Sequence, residues 1–339
     1  MRIIMASRES DWRREAENSI LLKSVSHWRE KPDRWFRGSY DRLPETVRVN
    51  PMSEEKDWVE SWLSGIGANR IPWFSGPGSA WEMPFERGSA EEEVKSLMSA
   101  LHETGRITRQ EAVSMLPVLA LDPTPGQIIL DLCASPGSKT TQICEHLGDS
   151  GAVVANEVIS GRVNTLVTNV QRHASRTVLV VQHDGRHIPR VPGSGFDGVL
   201  VDVPCTGSGT TRKNPDVWGK WRPSSGRSLH SLQYDLLTRA IELTKPGGRV
   251  VYSTCSLDPI ENEAVVARVL AGGKVRVVPR GDSLSGVPSN PGMTNWPLLN
   301  DKGELDNESK SEEYLIPTKD MAVSSQLNDC LRVWNDEIG

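Results

Sequence analysis

From Gln127 onward the chain alternates short apolar runs with longer segments of helical spacing. Ile128–Leu132 precedes Lys139–Leu147, and Ala152–Ala155 precedes Arg162–Arg172. Val178–Val181 follows, then Val199–Val203 before Leu229–Leu243, and Val250–Ser253 before Glu261–Leu270. Apolar runs of four or five residues read as strands buried on both faces. Five of them with intervening helices predict an α/β fold with a mainly parallel, doubly wound sheet. Right-handed crossovers then put every strand's C-terminal end on one edge, where open α/β sheets bind ligands.

The chain before Gln127 has a different texture. Residues 1–50 are polar and rich in Trp and Arg, with mixed helical spacing from Trp12 to Val25. Glu54–Gly65 is an amphipathic helix pattern with a glycine stop. Residues 65–89 carry Gly, Pro and Trp and read as loop, and Glu91–Leu101 resumes helical spacing. Thr108, with Glu111 three residues on, reads as a capping box for a helix ending near Pro117 or just past it. The expectation is a small α-rich region over residues 1–105 and a larger α/β domain over 106–339.

The residues expected on the sheet edge narrow the chemistry. After the first strand comes Asp131-Leu132-Cys133-Ala134-Ser135-Pro136-Gly137-Ser138-Lys139-Thr140. This small-residue turn opens a helix and lets backbone approach a ligand, though it is neither a GxGxxG nor a Walker loop. Glu157 follows the second strand, where an acid suits a ribose diol. Asp184 follows the third, Asp202-Val203-Pro204-Cys205 the fourth, and Cys255 the fifth. Asp258, Pro259 and Glu261 supply an N-cap, a first-turn proline and a capping-box carboxylate, so a helix is predicted to start there. Cys255 would then sit near oriented N–H groups that favour its thiolate. Taken alone, a cysteine after a strand is a packing residue. Acids or cysteines at all five strand ends point instead to a nucleoside-like cofactor over the first two strands and chemistry at the fourth and fifth.

Composition adds limits. The 339 residues carry a net charge of −5, so attraction to a polyanion must be local. Two stretches offer it. Arg34, Arg37, Arg42 and Arg48 interleave with Trp35, Phe36 and Tyr40; Arg212, Lys213, Lys220, Arg222 and Arg227 interleave with Trp218 and Trp221. Aromatic faces among cations suit single-stranded bases. No apolar run spans a bilayer, and residues 1–15 lack a secretory apolar region. Five cysteines without a CxxC pair argue for reduced thiols and against a disulfide frame or a zinc knuckle. The expected setting is cytoplasmic, with the nucleus open to a eukaryotic protein, and the expected state a monomer.

These residues also fall into a known set of motifs. RVNP at Arg48–Pro51, RQEAVSMLP at Arg109–Pro117, DLCASPGSKTT at Asp131–Thr141, NE at Asn156–Glu157, HD at His183–Asp184, DVPCTGSGTTRKNPDVW at Asp202–Trp218 and YSTCSLDPIENE at Tyr252–Glu263 follow one another in order. The chain resembles the RNA cytosine-5 methyltransferases of the Sun (NSun/RsmB) family, in wording closest to the eukaryotic tRNA-modifying branch. The resemblance implies a Rossmann-like S-adenosylmethionine-dependent methyltransferase domain behind a small RNA-binding part. It implies that Cys133, Ala134, Ser135, Pro136, Gly137, Ser138 and Lys139 line the methionine end of the cofactor. Glu157 would hold the ribose, Asp184 the adenine region, and Asp202 would lie by cofactor and target base. Cys255 would be the nucleophile, Cys205 the residue that helps release product, and Lys139 would assist Asp202. The substrate would be tRNA, with rRNA as the alternative.

Each residue type suits that chemistry. Thiolate addition at carbon 6 makes carbon 5 of cytosine nucleophilic, and a protonated Asp202 in a dry site could meet charge at ring nitrogen 3. A base inside a duplex must first leave the stack. A non-catalytic RNA-binding assembly factor would not need both cysteines and Asp202. DNA methylation would place the nucleophile at Cys205, and a small-molecule enzyme leaves RKNPDVW unexplained. Ser135 and Ser138 stand where many relatives have Ala and Gly. In relatives the segment like Asp329–Gly339 leads into a Gly-Gly-Phe-Phe strand, so the final edge strand is expected to be missing here and one sheet edge unpaired.

Overall fold

The computed structural model describes residues 12–148, 150–306 and 312–337. Most of the stretch read for targeting, residues 1–11, lies outside these, as does Gly339. The five predicted strands form one parallel sheet. β5 (Ile128–Asp131), β6 (Ala152–Asn156), β7 (Val178–Val181), β8 (Phe196–Asp202) and β9 (Thr244–Ser253) run in the order β7-β6-β5-β8-β9. The order reverses direction between β5 and β8, which makes the ends of these two strands the switch point. Helices Ser138–Leu147, Ser160–His173, Pro223–Leu243 and Glu263–Leu270 follow or connect the strands. Leu130, Val199, Val201, Leu236, Ala240 and Leu243 are buried together on one face of the sheet; Ile129, Ile143, Leu147, Val153 and Leu200 are buried together in a second cluster. The apolar runs of β5 and β8 are therefore covered from both sides, the requirement of a parallel sheet, while Leu179 of the edge strand β7 stands exposed. Among the described residues no strand pairs with the outer edge of β9.

The N-terminal region departs from the α-rich expectation. It has helices Ile20–Trp28, Pro32–Gly38, Lys56–Gly65 and Glu92–Glu103, but also a four-stranded antiparallel sheet. Its strands are β1 (Pro44–Val49), β2 (Asn69–Arg70), β3 (Ser79–Glu86) and β4 (Ile107–Arg109), in the order β2-β3-β1-β4. The stretch read as loop at 65–89 contains β2 and β3. Trp81 and Met83 are buried against Val47 and Val49, contacts between strands far apart in sequence that no local pattern reports. Thr108 lies within β4, so it caps no helix, and Pro117 falls in the first turn of helix Leu116–Leu121 rather than at an end. β4 pairs with β1, so this first sheet closes at Arg109, beyond the boundary drawn from composition at residue 105.

A buried ion pair joins β1 to the helix Ser138–Leu147. Arg48, on β1, is fully buried. Its Nε and Nη2 donate to Glu145 at 2.9 and 2.8 Å, and Nη1 donates to the Ser138 carbonyl at 3.2 Å. His173 Nε2 lies 3.2 Å from the same carboxylate. Burial alone would raise the Glu145 carboxyl, but the Arg48 charge and the bonds from His173 and Arg48 outweigh it and hold it below its ordinary 4.5. Its stabilising contribution is therefore present above the unfolded value and lost as pH falls through the lowered folded one. Glu145→Ala leaves a buried cation unpaired and is expected to cost about 3–5 kcal/mol in urea unfolding at neutral pH. The Arg48→Met/Glu145→Leu pair should cost much less. Equal losses for the single and the double variant would contradict this account.

Candidate active site

The edge formed by the C-terminal strand ends carries the predicted residues, and the pairing register places them. Asp202, last in β8, lies opposite Ser253, last in β9. Ser253 Oγ donates to Asp202 Oδ1 at 2.7 Å. Lys139, in the first turn of the helix after β5, donates through Nζ to Asp202 Oδ2 at 2.7 Å and to Ser114 Oγ at 2.9 Å. Burial would lower the Lys139 ammonium, but Asp202 overrides it and the group stays above its ordinary 10.5. Both Asp202 oxygens are thus engaged, Oδ1 by Ser253 and Oδ2 by Lys139.

The two chains then continue past the sheet and bring their cysteines together, with the Cys205 and Cys255 sulfurs 3.2 Å apart. The hydrogen bond from the Cys205 S–H lowers the Cys255 thiol below its ordinary 9.0, against burial and the Asp202 charge and with help from Lys139. The same bond, with burial, raises Cys205. Of the pair, Cys255 is thus the more acidic thiol and Cys205 the less acidic. The remaining thiols are less acidic: burial raises Cys133, and pushes Cys144 and Cys330 up to about 11 and about 12. The predicted helix after Cys255 starts later than expected, at Glu263. A helix N-terminus eight residues away does not activate the thiol; Cys205 and Lys139 do.

The glycine-containing turn after β5 is held from outside. Ser135 Oγ donates to the Arg162 carbonyl and Arg162 Nη2 to the Ser135 carbonyl, both at 2.8 Å, while Asn169 Nδ2 donates to the Pro136 carbonyl at 2.6 Å. Gly137 has φ +110°, which a side chain rarely adopts. Glu157 is buried at the end of β6 and accepts from Ile159 N at 2.9 Å. Asp184 follows β7, where Arg186 pairs with it at 2.6 Å and holds its carboxyl down at about 2. Pro136, Gly137, Ser138, Lys139, Asp202 and Cys255 line a cleft of about 1630 Å³; Cys133, Ala134, Ser135, Glu157, Asp184 and Cys205 do not line it. The donor set fits a nucleoside bearing a cationic group. Acids stand at three strand ends, and Lys139, the one cation of the turn, faces Asp202 rather than a phosphate position.

The aromatic and basic stretches are not base platforms. Trp35, Trp218 and Trp221 are buried together with Trp28 and Trp334. Arg212 donates to the carbonyls of Asp41, Arg42 and Asn335, and Arg227 to that of Leu299. These cations bind the protein's own backbone. Instead, twelve Lys or Arg and five Asp or Glu line the cleft among the described residues, a local excess that the net charge hides. Sequence reading also missed Ser253, Ser114 and Gln233, because their roles depend on which strands and helices meet.

The parallel sheet, its reversed strand order and the ligand edge define a Rossmann-like methyltransferase fold. The same residues place the chain more closely. Residues 118–297 match the family described as 16S rRNA methyltransferase RsmB/F, and the chain belongs to that family. It is 42% identical over 251 residues to the multisite-specific tRNA:(cytosine-C(5))-methyltransferase of Saccharomyces cerevisiae, covering 68% of this chain and 36% of that protein. It is 45% identical over 213 residues to the tRNA (cytosine(34)-C(5))-methyltransferase of Drosophila melanogaster, covering 57% of this chain and 29% of that one. The chain thus spans about a third of the length of these curated relatives. The crystal structure of a methyltransferase homolog protein from Pyrococcus horikoshii superposes with a TM-score of 0.64 at 28% identity, over 91% of this chain and 90% of that one. No helix among the described residues is long and apolar enough to cross a membrane.

Cys255 is expected to react with iodoacetamide at lower pH than the other thiols. Because the Cys205 S–H is the main cause, Cys205→Ala should move the Cys255 alkylation midpoint upward, read by peptide mass spectrometry across a pH series. A midpoint that stays in place, or moves down, would remove Cys205 as the activating group.

Proposed function

We propose that the chain transfers a methyl group from S-adenosylmethionine to carbon 5 of a cytosine in RNA, with tRNA as the substrate. The observation that carries this reading is the pair of sulfurs 3.2 Å apart beside the Lys139–Asp202 pair. A single nucleophilic cysteine needs no second thiol at contact distance; a reaction that forms an adduct and must then release it has work for both.

The steps follow from the residues. Cys255 thiolate adds to carbon 6 of the cytosine, and Lys139 with Asp202 meets the charge that builds toward ring nitrogen 3. Bound S-adenosylmethionine supplies an electrophilic methyl group for carbon 5. The turn Cys133–Lys139 would hold its methionine end, with Glu157 at the ribose, Asp184 at the adenine side and Asp202 between cofactor and base. Cys205, once its own S–H proton has passed to solvent, or a water it orients, takes the proton from carbon 5, and the bond to Cys255 breaks to return the thiolate. Substrate RNA would enter along the cation-rich cleft, with the N-terminal region over residues 1–105 as the RNA-binding part and 106–339 as the catalytic domain. The protein would act as a monomer in a reducing cytoplasmic or nuclear setting.

Two tRNA-modifying relatives at 42% and 45% identity support tRNA, while the family description favours rRNA as the second reading. Bisulfite sequencing of total RNA with and without the gene decides between them, since one cytosine should lose its protection. Cys255→Ala is expected to abolish both methylation and covalent trapping. Cys205→Ala should leave a protein–RNA adduct that survives a denaturing gel. The reverse pattern would exchange the two roles, and no methylated cytosine in either RNA would end the proposal.

A further inference from the structure

Glu261 looks from the sequence like part of a helix cap, yet it caps nothing. The Asp258 N–H that a capping box would offer it is donated instead to Ser256 Oγ at 3.1 Å. The Glu261 side chain is fully buried and turns toward the other cysteine's loop. Oε1 accepts from Thr206 N at 2.9 Å and from Gln233 Nε2 at 3.0 Å. Oε2 accepts from the hydroxyls of Thr206 and Ser256. Thr206 is the residue after Cys205, and Ser256 the residue after Cys255. Gln233 also donates to the Pro204 carbonyl at 3.0 Å, just before Cys205. Every bond the carboxylate accepts therefore ends on, or is shared with, a residue flanking one of the two cysteines.

We propose that Glu261 is the positioning residue of the two-cysteine site, a buried clamp whose two oxygens tie the Cys205 loop to the Cys255 loop and so set the distance between the sulfurs. It touches neither sulfur and does not act on substrate. Among the described residues the loops also meet where Thr206 Oγ1 lies 3.3 Å from Ser256 Oγ, both hydroxyls being bound to Glu261, and cross-link through Gly209 N donating to the Cys255 carbonyl at 2.9 Å and through Ser208 Oγ, which receives Leu257 N at 2.7 Å and lies 3.1 Å from Ser256 Oγ. The Gly209 and Ser208 contacts lie three or four residues beyond Cys205, so they leave its side-chain position to Thr206 and Pro204. The inference rests on the methyl-transfer reading for its functional meaning, but the spacing it describes exists without substrate.

Diamide, which takes one hydrogen from each of two neighbouring thiols to leave a disulfide, measures that spacing directly. The unsubstituted protein should form the Cys205–Cys255 disulfide readily, read by peptide mass spectrometry. Glu261→Ala should form it at least about tenfold more slowly, as expected of a reacting pair displaced by ~1 Å, when measured well below its own thermal midpoint, which the four unpaired donors will lower. Glu261→Gln keeps an acceptor for the two N–H groups and can donate to the two hydroxyls, so it should restore the rate. Thr206→Val removes one of the four donors without emptying volume and should give an intermediate rate; it carries the test if Glu261→Ala does not fold. Unsubstituted rates in a folded Glu261→Ala, or in Thr206→Val where the former is unfolded, would overturn the proposal, as would Glu261→Gln as slow as the alanine variant. Failure of the methyl-transfer reading would appear separately, as an unsubstituted protein that cross-links normally and methylates no cytosine.

Discussion

The register between β8 and β9 is the constraint on which the site depends. Parallel pairing sets Asp202 opposite Ser253, and the two chains leave the sheet side by side at that point. Three residues further along one and two along the other, the cysteines meet. A slip of one residue would turn Asp202 away from Lys139 and send one sulfur to the opposite face, because side chains alternate along a strand. Core packing defends the register: Val199 and Val201 pack with Leu130, Leu236 and Ala240 in one core and Leu200 with Ile129 and Val153 in the other, so a slip would mismatch both.

Around that fixed point the protein uses charge sparingly and in pairs. Lys139 holds Asp202, Arg48 holds Glu145, and Arg332 holds Glu263 through two bonds of 2.9 and 2.7 Å. Each of these three pairs joins two elements distant in sequence. Glu261 differs in meeting four uncharged donors. Asp258, buried nearby, has its carboxyl pushed up to about 8 by burial and by Glu261. The turn after Cys255 therefore carries a neutralised acid beside a hydrogen-bonded one, and its rigidity comes from hydrogen bonds rather than from a helix cap.

The N-terminal region enters the same logic. Arg48 reaches from β1 to the helix that follows the cofactor-type turn, so the small sheet is tied directly to the helix that carries the turn. The tryptophans that suggested a nucleic-acid surface are the packing between this region and the segment 217–221. Arg212 and Arg227, on either side of that segment, are spent on backbone carbonyls. The cations left to meet a polyanion are those of the cleft, drawn from both regions and from neither of the two basic stretches alone.

Local pattern carried a great deal. Apolar runs matched β5, β6 and β7 closely and lay within β8 and β9, since a strand covered on both faces must be continuous in apolar residues. The rule that parallel strands end on one edge then brought Lys139, Glu157, Asp184, Asp202, Cys205 and Cys255 together without coordinates. What sequence could not determine was pairing between distant segments. The strands at 69–86 need partners from β1, the Trp and Arg side chains took buried partners far along the chain, and Glu261 left its own helix for the neighbouring loop. Periodicity reports which residues want burial; only tertiary structure decides what each polar group finds when it gets there, because that partner is set by packing and not by sequence distance.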